Sequence, residues 1–274
     1  MPAKHLAVNG LDFNVVDEGE GAPVLLLHGF PDRGEMWRHQ IDALVAAEYR
    51  AIAPDLRGFG DSAAPEEVER YGMLDLLGDV TGILDALDVP KAHVVGHDWG
   101  AGLAWVMATF AADRVEKLVA VSVGHPTAFA TAGFEQRQRS WYMLAFQFVG
   151  IAEELVSRDD FEFFRTWGEG EDGDFDRWRA DLSRPGRLTA ALNWYRANVP
   201  PEALVRPPME LPPVGVPVMG VWSDQDAALG EAQMVNSAKH VAGEFRFERL
   251  AGVSHWIPTA GADQLNALLL DFLA

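Results

Sequence analysis

The 274-residue chain has no cysteine, which excludes a disulfide framework and a thiol nucleophile. Basic residues are scarce: 22 Lys+Arg stand against 41 Asp+Glu, a formal net charge of −19 at pH 7. No basic stripe interrupts the acidity, so neither nucleic acid nor an anionic membrane is an expected partner, and the charge reads as a solubility feature. No uninterrupted apolar run is long enough to span a bilayer. Met1-Pro2-Ala3-Lys4 leads straight into strand-like sequence with no apolar signal region, so the expectation is a soluble, cytoplasmic protein. Internal repeats and low-complexity tails are absent. Tyrosine is sparse as well, at four in the whole chain.

What is plentiful is apolar sequence. Hydrophobic residues make up 49%, ample for a large core, and aromatics 10%, which suits an apolar pocket. The length fits one α/β domain with an insertion, or two small domains. His5 to Val8 and Leu11 to Val16 flank Asn9-Gly10, a strong hairpin signal. Val24-Leu25-Leu26-Leu27-His28 is a continuous apolar run, as expected of a strand buried on both faces. Strands follow at Arg50 to Pro54, Ala92 to Val95 and Leu118 to Val123, with helical periodicity over Leu74 to Leu87 and Ala101 to Ala111. This alternation predicts a mostly parallel central sheet with helices on both faces.

After Gly124-His125-Pro126 the character changes. Residues from about 127 to 199 read as aromatic-rich helices with an acidic loop, Glu169 to Asp176. A proline-rich return follows (Pro200-Pro201, Pro207-Pro208, Pro212-Pro213, Pro217), and strands resume at Val216 to Trp222 and Glu244 to Leu250 before a last helix, Gln264 to Leu273. The expected organisation is a core of residues 1–125 and 214–274 carrying an inserted helical lid, 126–213, on semi-rigid proline connections.

Chemistry concentrates in three loops. Gly96-His97-Asp98-Trp99-Gly100 joins a buried strand to a helix and has the form of a nucleophile elbow, with aspartate in the central position. Small residues on both sides permit the sharp turn, and the helix N-terminus favours an anion. An aspartate nucleophile forms an ester by alkylation, so its target is an electrophilic sp³ carbon. Read blandly, Asp98 is an N-cap beside a tight turn. His28-Gly29-Phe30-Pro31 follows another buried strand; the Phe30 and Trp99 amides would together make an oxyanion hole. Later in the chain, Ser223-Asp224-Gln225-Asp226 offers two carboxylates, and Gly252-Val253-Ser254-His255-Trp256 offers a histidine. Both follow carboxyl ends of strands, the edge where open α/β sheets bind ligands.

With these motifs the chain resembles the α/β-hydrolase superfamily, and within it the soluble epoxide hydrolases, over nearly its whole length. The resemblance implies Asp98 as nucleophile, Asp226 as the acid and His255 as the base. The alternative acid position of some relatives holds Gly124-His125 here. Trp141-Tyr142-Met143 and Asn193-Trp194-Tyr195-Arg196 are similar to the family segments carrying two lid tyrosines, so Tyr142 and Tyr195 would hold an epoxide oxygen. Without the resemblance, both tyrosines read as lid-packing residues. Phe30, Trp99, Phe146 and Trp256 are expected to line an apolar pocket. Departures from the family pattern are small: Ala145 where a bulky aromatic is common, Ser254 before the histidine, and Thr259-Ala260-Gly261-Ala262-Asp263 without a proline-glutamate helix start.

The implied activity is cofactor- and metal-independent conversion of a hydrophobic epoxide and water to a vicinal diol. A homodimer through the lid or an edge strand is left open. Two rival readings stand beside it. A haloalkane or haloacid dehalogenase uses the same aspartate chemistry, although Phe30 offers no side-chain donor for halide and no arginine follows Asp98-Trp99-Gly100. A non-catalytic small-molecule receptor shares the fold.

Overall fold

The computed structural model describes residues 3–167 and 172–274; residues 169–171 of the expected acidic loop lie outside them. Eight strands form one sheet among the described residues, in the order β1-β2-β4-β3-β5-β6-β7-β8. β1 (Ala3–Val8) and β2 (Leu11–Glu18) pair antiparallel across Asn9 and Gly10, whose φ values of 52° and 76° give the two-residue turn that matches strand twist. β2 also runs antiparallel to β4 (Tyr49–Pro54). From β4 onward every neighbour is parallel: β3 (Ala22–Leu27), β5 (Ala92–His97), β6 (Val115–Val121), β7 (Val218–Gln225) and β8 (Phe245–Ser254).

Strand period and burial explain the layers. Leu25 and Leu27 of β3 face one side with Ile52 and Val94, and are covered by α2 (Met73–Ala86) and α3 (Trp99–Phe110). Val24 and Leu26 face the other side with Ala51, Val95, Val119 and Met219, under α1 (Arg38–Ala46) and the last helix. Successive residues thus feed opposite cores, and the central strand β5 is buried on both faces.

Between β6 and β7 the chain leaves the sheet for α4 (Pro126–Ala130), α5 (Phe134–Arg139), α6 (Trp141–Ala145), α7 (Ile151–Thr166), α8 (Phe175–Leu182) and α9 (Arg187–Asn198). α7 is broken at 158–161, where Asp159, Asp160 and Phe161 take positive φ. This insert is tied to the loops at the carboxyl edge of the sheet. Trp194 Nε1 donates to the Arg57 carbonyl at 2.8 Å, and Asn198 exchanges hydrogen bonds with Met73 N and the Tyr71 carbonyl. On α8, Trp178 Nε1 donates to Asp32 Oδ2 at 2.9 Å, and Arg177 pairs with Asp32 Oδ1 at 2.6 Å. The proline-rich return opens with a 3-10 turn, Pro201–Leu204, and carries a bridge from Val214 to Val241. The chain closes with α10 (Glu231–Val235), α11 (Ile257–Ala260) and α12 (Ala262–Leu273). Among the described residues, no helix is long and apolar enough to cross a membrane.

Candidate active site

The strand order changes direction between β3 and β5, and the loops that follow these two strands meet there. The turn after β5 holds Asp98 at φ 52°, ψ −123°, a backbone conformation that costs a non-glycine residue about 1–3 kcal/mol and persists only where its surroundings enforce it. Both flanking glycines are required by close approach. A Cβ on Gly96 would lie 2.6 Å from Ala101 N, and one on Gly100 2.5 Å from the His28 carbonyl oxygen. The elbow and the loop after β3 are therefore in backbone contact.

That contact delivers a donor to the carboxylate. Phe30 N–H donates to Asp98 Oδ1 at 2.9 Å, and the Trp99 amide also hydrogen-bonds the Asp98 carboxylate. The loop is held by His28, whose Nε2 accepts from Leu56 N–H at 2.8 Å; Nδ1 then carries the proton and donates to the Gly29 carbonyl at 2.9 Å. Burial pushes the His28 pKa down, which agrees with this neutral tautomer. Asp98 itself is 8% exposed. Burial raises its pKa above the ordinary aspartate value, opposed by His255 and by the two amides.

His255 and Asp226 arrive from the ends of β8 and β7. His255 Nδ1 lies 2.8 Å from Asp226 Oδ2, and its Nε2 faces Asp98 Oδ2 at 3.8 Å, beyond direct hydrogen-bond range. Asp226 Oδ1 accepts from Ala228 N and Leu229 N at 2.9 and 2.8 Å, so each carboxylate oxygen has its own partners. The histidine loop is pinned by His97 and Ser223, to which the sequence gives no role, and by Asp224. His97 Nε2 donates to the His255 carbonyl at 3.0 Å, Ser223 Oγ to the Ser254 carbonyl at 2.9 Å, and Gly252 N–H to Asp224 Oδ1 at 2.8 Å. Asp224, the second carboxylate of its loop, thus braces the histidine turn while Asp226 meets the ring.

Tyr142 on α6 and Tyr195 on α9 come together across the cavity, with ring centroids 5.9 Å apart. Both are buried, and burial together with the Asp98 charge pushes their phenols well above the ordinary tyrosine pKa. They are protonated donors at neutral pH. The Trp99 indole, packed edge-on against the Tyr195 ring at 5.0 Å, partly offsets that shift.

The cavity is about 30 Å³, room for roughly two water molecules. Asp98, Tyr142, Tyr195 and His255 line it, with Phe30, Trp256, Phe164 and Trp167 making aromatic walls and Ala227 and Ala228 a small-residue side. Two expected lining residues stand one layer back. Phe146 is fully buried against Phe30, Tyr142, Phe163 and Tyr195. The Trp99 ring packs on Trp194 and Tyr195, because the first residue of α3 directs it behind the phenol. Phe164 on α7 and Trp167 just past its end take their places, in a stretch whose aromatic spacing gives no sign of which ring faces inward. Among the described residues, no group of three or more His, Cys, Asp or Glu side chains is placed to hold a metal ion.

A family model described as the alpha/beta hydrolase fold matches residues 22–259. The chain is 33% identical over 278 residues to the AB hydrolase superfamily protein YfhM of Bacillus subtilis, covering 97% of this chain and 95% of that protein. It is 32% identical over 307 residues to a Mycobacterium tuberculosis protein named epoxide hydrolase A, covering 97% and 95%. A crystal structure of Bacillus megaterium epoxide hydrolase in complex with an inhibitor superposes with a TM-score of 0.89 at 29% identity, covering 98% of this chain and 99% of that one. By the length of the family match and its full-length relatives, this chain belongs to the α/β-hydrolase family, among relatives named epoxide hydrolases.

Proposed function

We propose that this protein hydrolyses epoxides to vicinal diols in two steps through an ester on Asp98. The observation that carries this reading is the placing of a buried carboxylate, a histidine–carboxylate pair and two protonated phenols around one aromatic cavity. Oδ1 of Asp98 is engaged by the Phe30 amide, so Oδ2 is the attacking atom. Its lone pair forms a bond to one epoxide carbon as the ring C–O bond breaks, and the released oxygen takes the proton of Tyr142 or Tyr195. His255 Nε2, oriented by Asp226, then takes a proton from water, and the hydroxide adds to Asp98 Cγ. The charge collects on Oδ1 under the Phe30 and Trp99 amides. Collapse expels the diol, whose ester oxygen takes the proton from His255. The remaining water proton, left on the regenerated carboxyl, returns to the phenolate.

In this reading residues 126–213 form a lid over the core of 1–125 and 214–274, since α6 and α9 supply the phenols. Aromatic walls favour an apolar epoxide. A cavity of about 30 Å³ admits the reacting ring, so a larger substituent requires the side chains of Phe164 or Trp167 to move. The dehalogenase reading is weakened because the Trp99 ring packs behind Tyr195 and does not line the cavity, and Phe30 brings no side-chain donor for halide.

His255→Ala tests the covalent step. Incubated with styrene oxide or 1,2-epoxybutane, it should gain the mass of one epoxide on the peptide containing Asp98, and Asp98→Ala should gain nothing. No adduct from an epoxide that the wild type turns over rejects the ester. Bromide release from a bromoalkane, without diol from either epoxide, moves the assignment to a dehalogenase.

A further inference from the structure

The loop that carries Asp226 is shaped by a helix of the insert. Asp226 Oδ1 is folded back onto the amides of residues 228 and 229, so the direction of Oδ2 toward His255 follows the shape of the loop 226–230. From the core, Trp222 Nε1 donates to the Leu229 carbonyl at 3.0 Å. The other ties come from α5. Gln136 Nε2 donates to the Ala228 carbonyl at 2.9 Å and to Ser140 Oγ at 2.8 Å, while its Oε1 accepts from Gly230 N–H at 2.8 Å. Arg139 Nη1, one turn on, donates to the Asp226 carbonyl at 2.6 Å. Gln136 is 4% exposed, although it sits in the polar run Phe134-Glu135-Gln136-Arg137-Gln138-Arg139, whose Phe134 is 73% exposed. The burial is the reverse of what polarity predicts. A buried amide with three directed bonds is costly to place unless the geometry it fixes is used.

We propose that Gln136, seconded by Arg139, is a positioning residue for Asp226. The insert then not only supplies phenols for ring opening; it holds the acid that orients His255 for hydrolysis of the ester. Gln136 also touches Ser140, which caps the helix of Tyr142, but the Tyr142 ring itself is held by its packing against Phe146, Trp167 and Tyr195. Loss of the Gln136 bonds therefore slows the second step and spares the first.

The proposal rests on the two-step reading, and the test separates the two. Gln136→Leu keeps the side-chain bulk and removes the hydrogen bonds. Rapid-quench intact mass gives the alkylation and hydrolysis rate constants separately. Hydrolysis should fall about tenfold with alkylation unchanged, the scale of a lost buried hydrogen bond or two. In the steady state kcat and KM fall together while kcat/KM holds, and the ester accumulates; a loss of folded enzyme alone would lower kcat and leave KM unmoved. If Gln136→Leu does not fold, Arg139→Met, at a half-exposed position, decides by the same split with an effect of about threefold. Unchanged hydrolysis in a folded variant, or slowed alkylation alone, overturns the proposal. One readout needs no substrate: the proton NMR signal of the His255–Asp226 hydrogen bond should broaden in the variant, and an unaltered signal also overturns it. Failure of the two-step reading shows differently, as wild-type enzyme that forms neither adduct nor diol.

Discussion

Gly29→Ala places one methyl group against the nucleophile. A Cβ at this position would lie 2.5 Å from Asp98 Oδ1 and 2.8 Å from its Cγ. Non-bonded carbon atoms rest at about 3.5–4.0 Å, so the carboxylate or the loop must give way by roughly 1 Å. The neighbouring Phe30 N–H, 2.9 Å from Oδ1, moves with the loop and loses its bond. A misplacement of about 1 Å at reacting atoms costs on the order of 100-fold, and loss of one oxyanion donor about 100- to 1,000-fold. These are two views of one displacement and do not multiply, so kcat for epoxide hydrolysis should fall by about 100- to 1,000-fold. The fold should survive, since overpacking of this kind costs about 1–3 kcal/mol. Diol formation from styrene oxide, measured beside a thermal melt, checks both halves. A folded Gly29→Ala enzyme with kcat within about threefold of wild type would refute the claim that this loop and Asp98 form a single rigid unit.

The burial of Asp98 sets a pH test. Its folded pKa lies above the unfolded value, so the folded state holds the proton more tightly, and stability falls as pH rises through the folded pKa. Asp98→Asn should raise Tm at neutral pH, by a margin that shrinks on acidification towards the ordinary carboxylate range. In the wild type, the acid limb of alkylation should lie above that range; equal melts at every pH would contradict both. Arg57 and Asp79 form a buried pair through two bonds, 2.8 and 2.6 Å long, and Arg57 also donates to the Arg70 carbonyl. Asp79→Ala leaves that guanidinium unpaired and should cost about 3–5 kcal/mol in a denaturant melt, whereas a loss below about 1 kcal/mol would mean that the loop relaxes freely. Trp167→Ala opens an aromatic wall and should shift the kcat/KM ratio towards a naphthyl epoxide over 1,2-epoxybutane by about tenfold. Absolute kcat should fall, because the Tyr142 ring rests 4.4 Å from Trp167.

What the chain discloses in one dimension depends on how local the cause is. The Asn9-Gly10 turn, the two-sided burial of Val24 to Leu27 and the glycines around Asp98 each follow from a few adjacent residues, and the structure forms a strand or turn at each. The loops after β3, β5, β7 and β8 bring their expected residues together because the parallel order of the sheet leaves them on one edge. Local signal is thin elsewhere: β8 continues past Leu250 to Ser254, and α1 has a weak sequence signature because only Gln40, Ile41 and Leu44 of its face are buried.

The insert is legible only in three dimensions. Its helices are short, and their rings meet partners far away in sequence. Tyr195 touches Phe30, Trp99, Tyr142 and Phe146, contacts that no periodicity encodes. The same reason explains why Phe146 and Trp99 were placed on the cavity wall, although each supports a ring that forms it. It also explains why polarity does not foretell the burial of Gln136 or the exposure of Phe134 two residues earlier. A helix of six residues has no amphipathic period long enough to assert an orientation, so its tertiary hydrogen bonds decide which side turns inward. Polar residues that brace a site across an insertion are for this reason the part of an active site least visible to sequence, and removing one of their bonds tests the arrangement more sharply than replacing the residues that perform the chemistry.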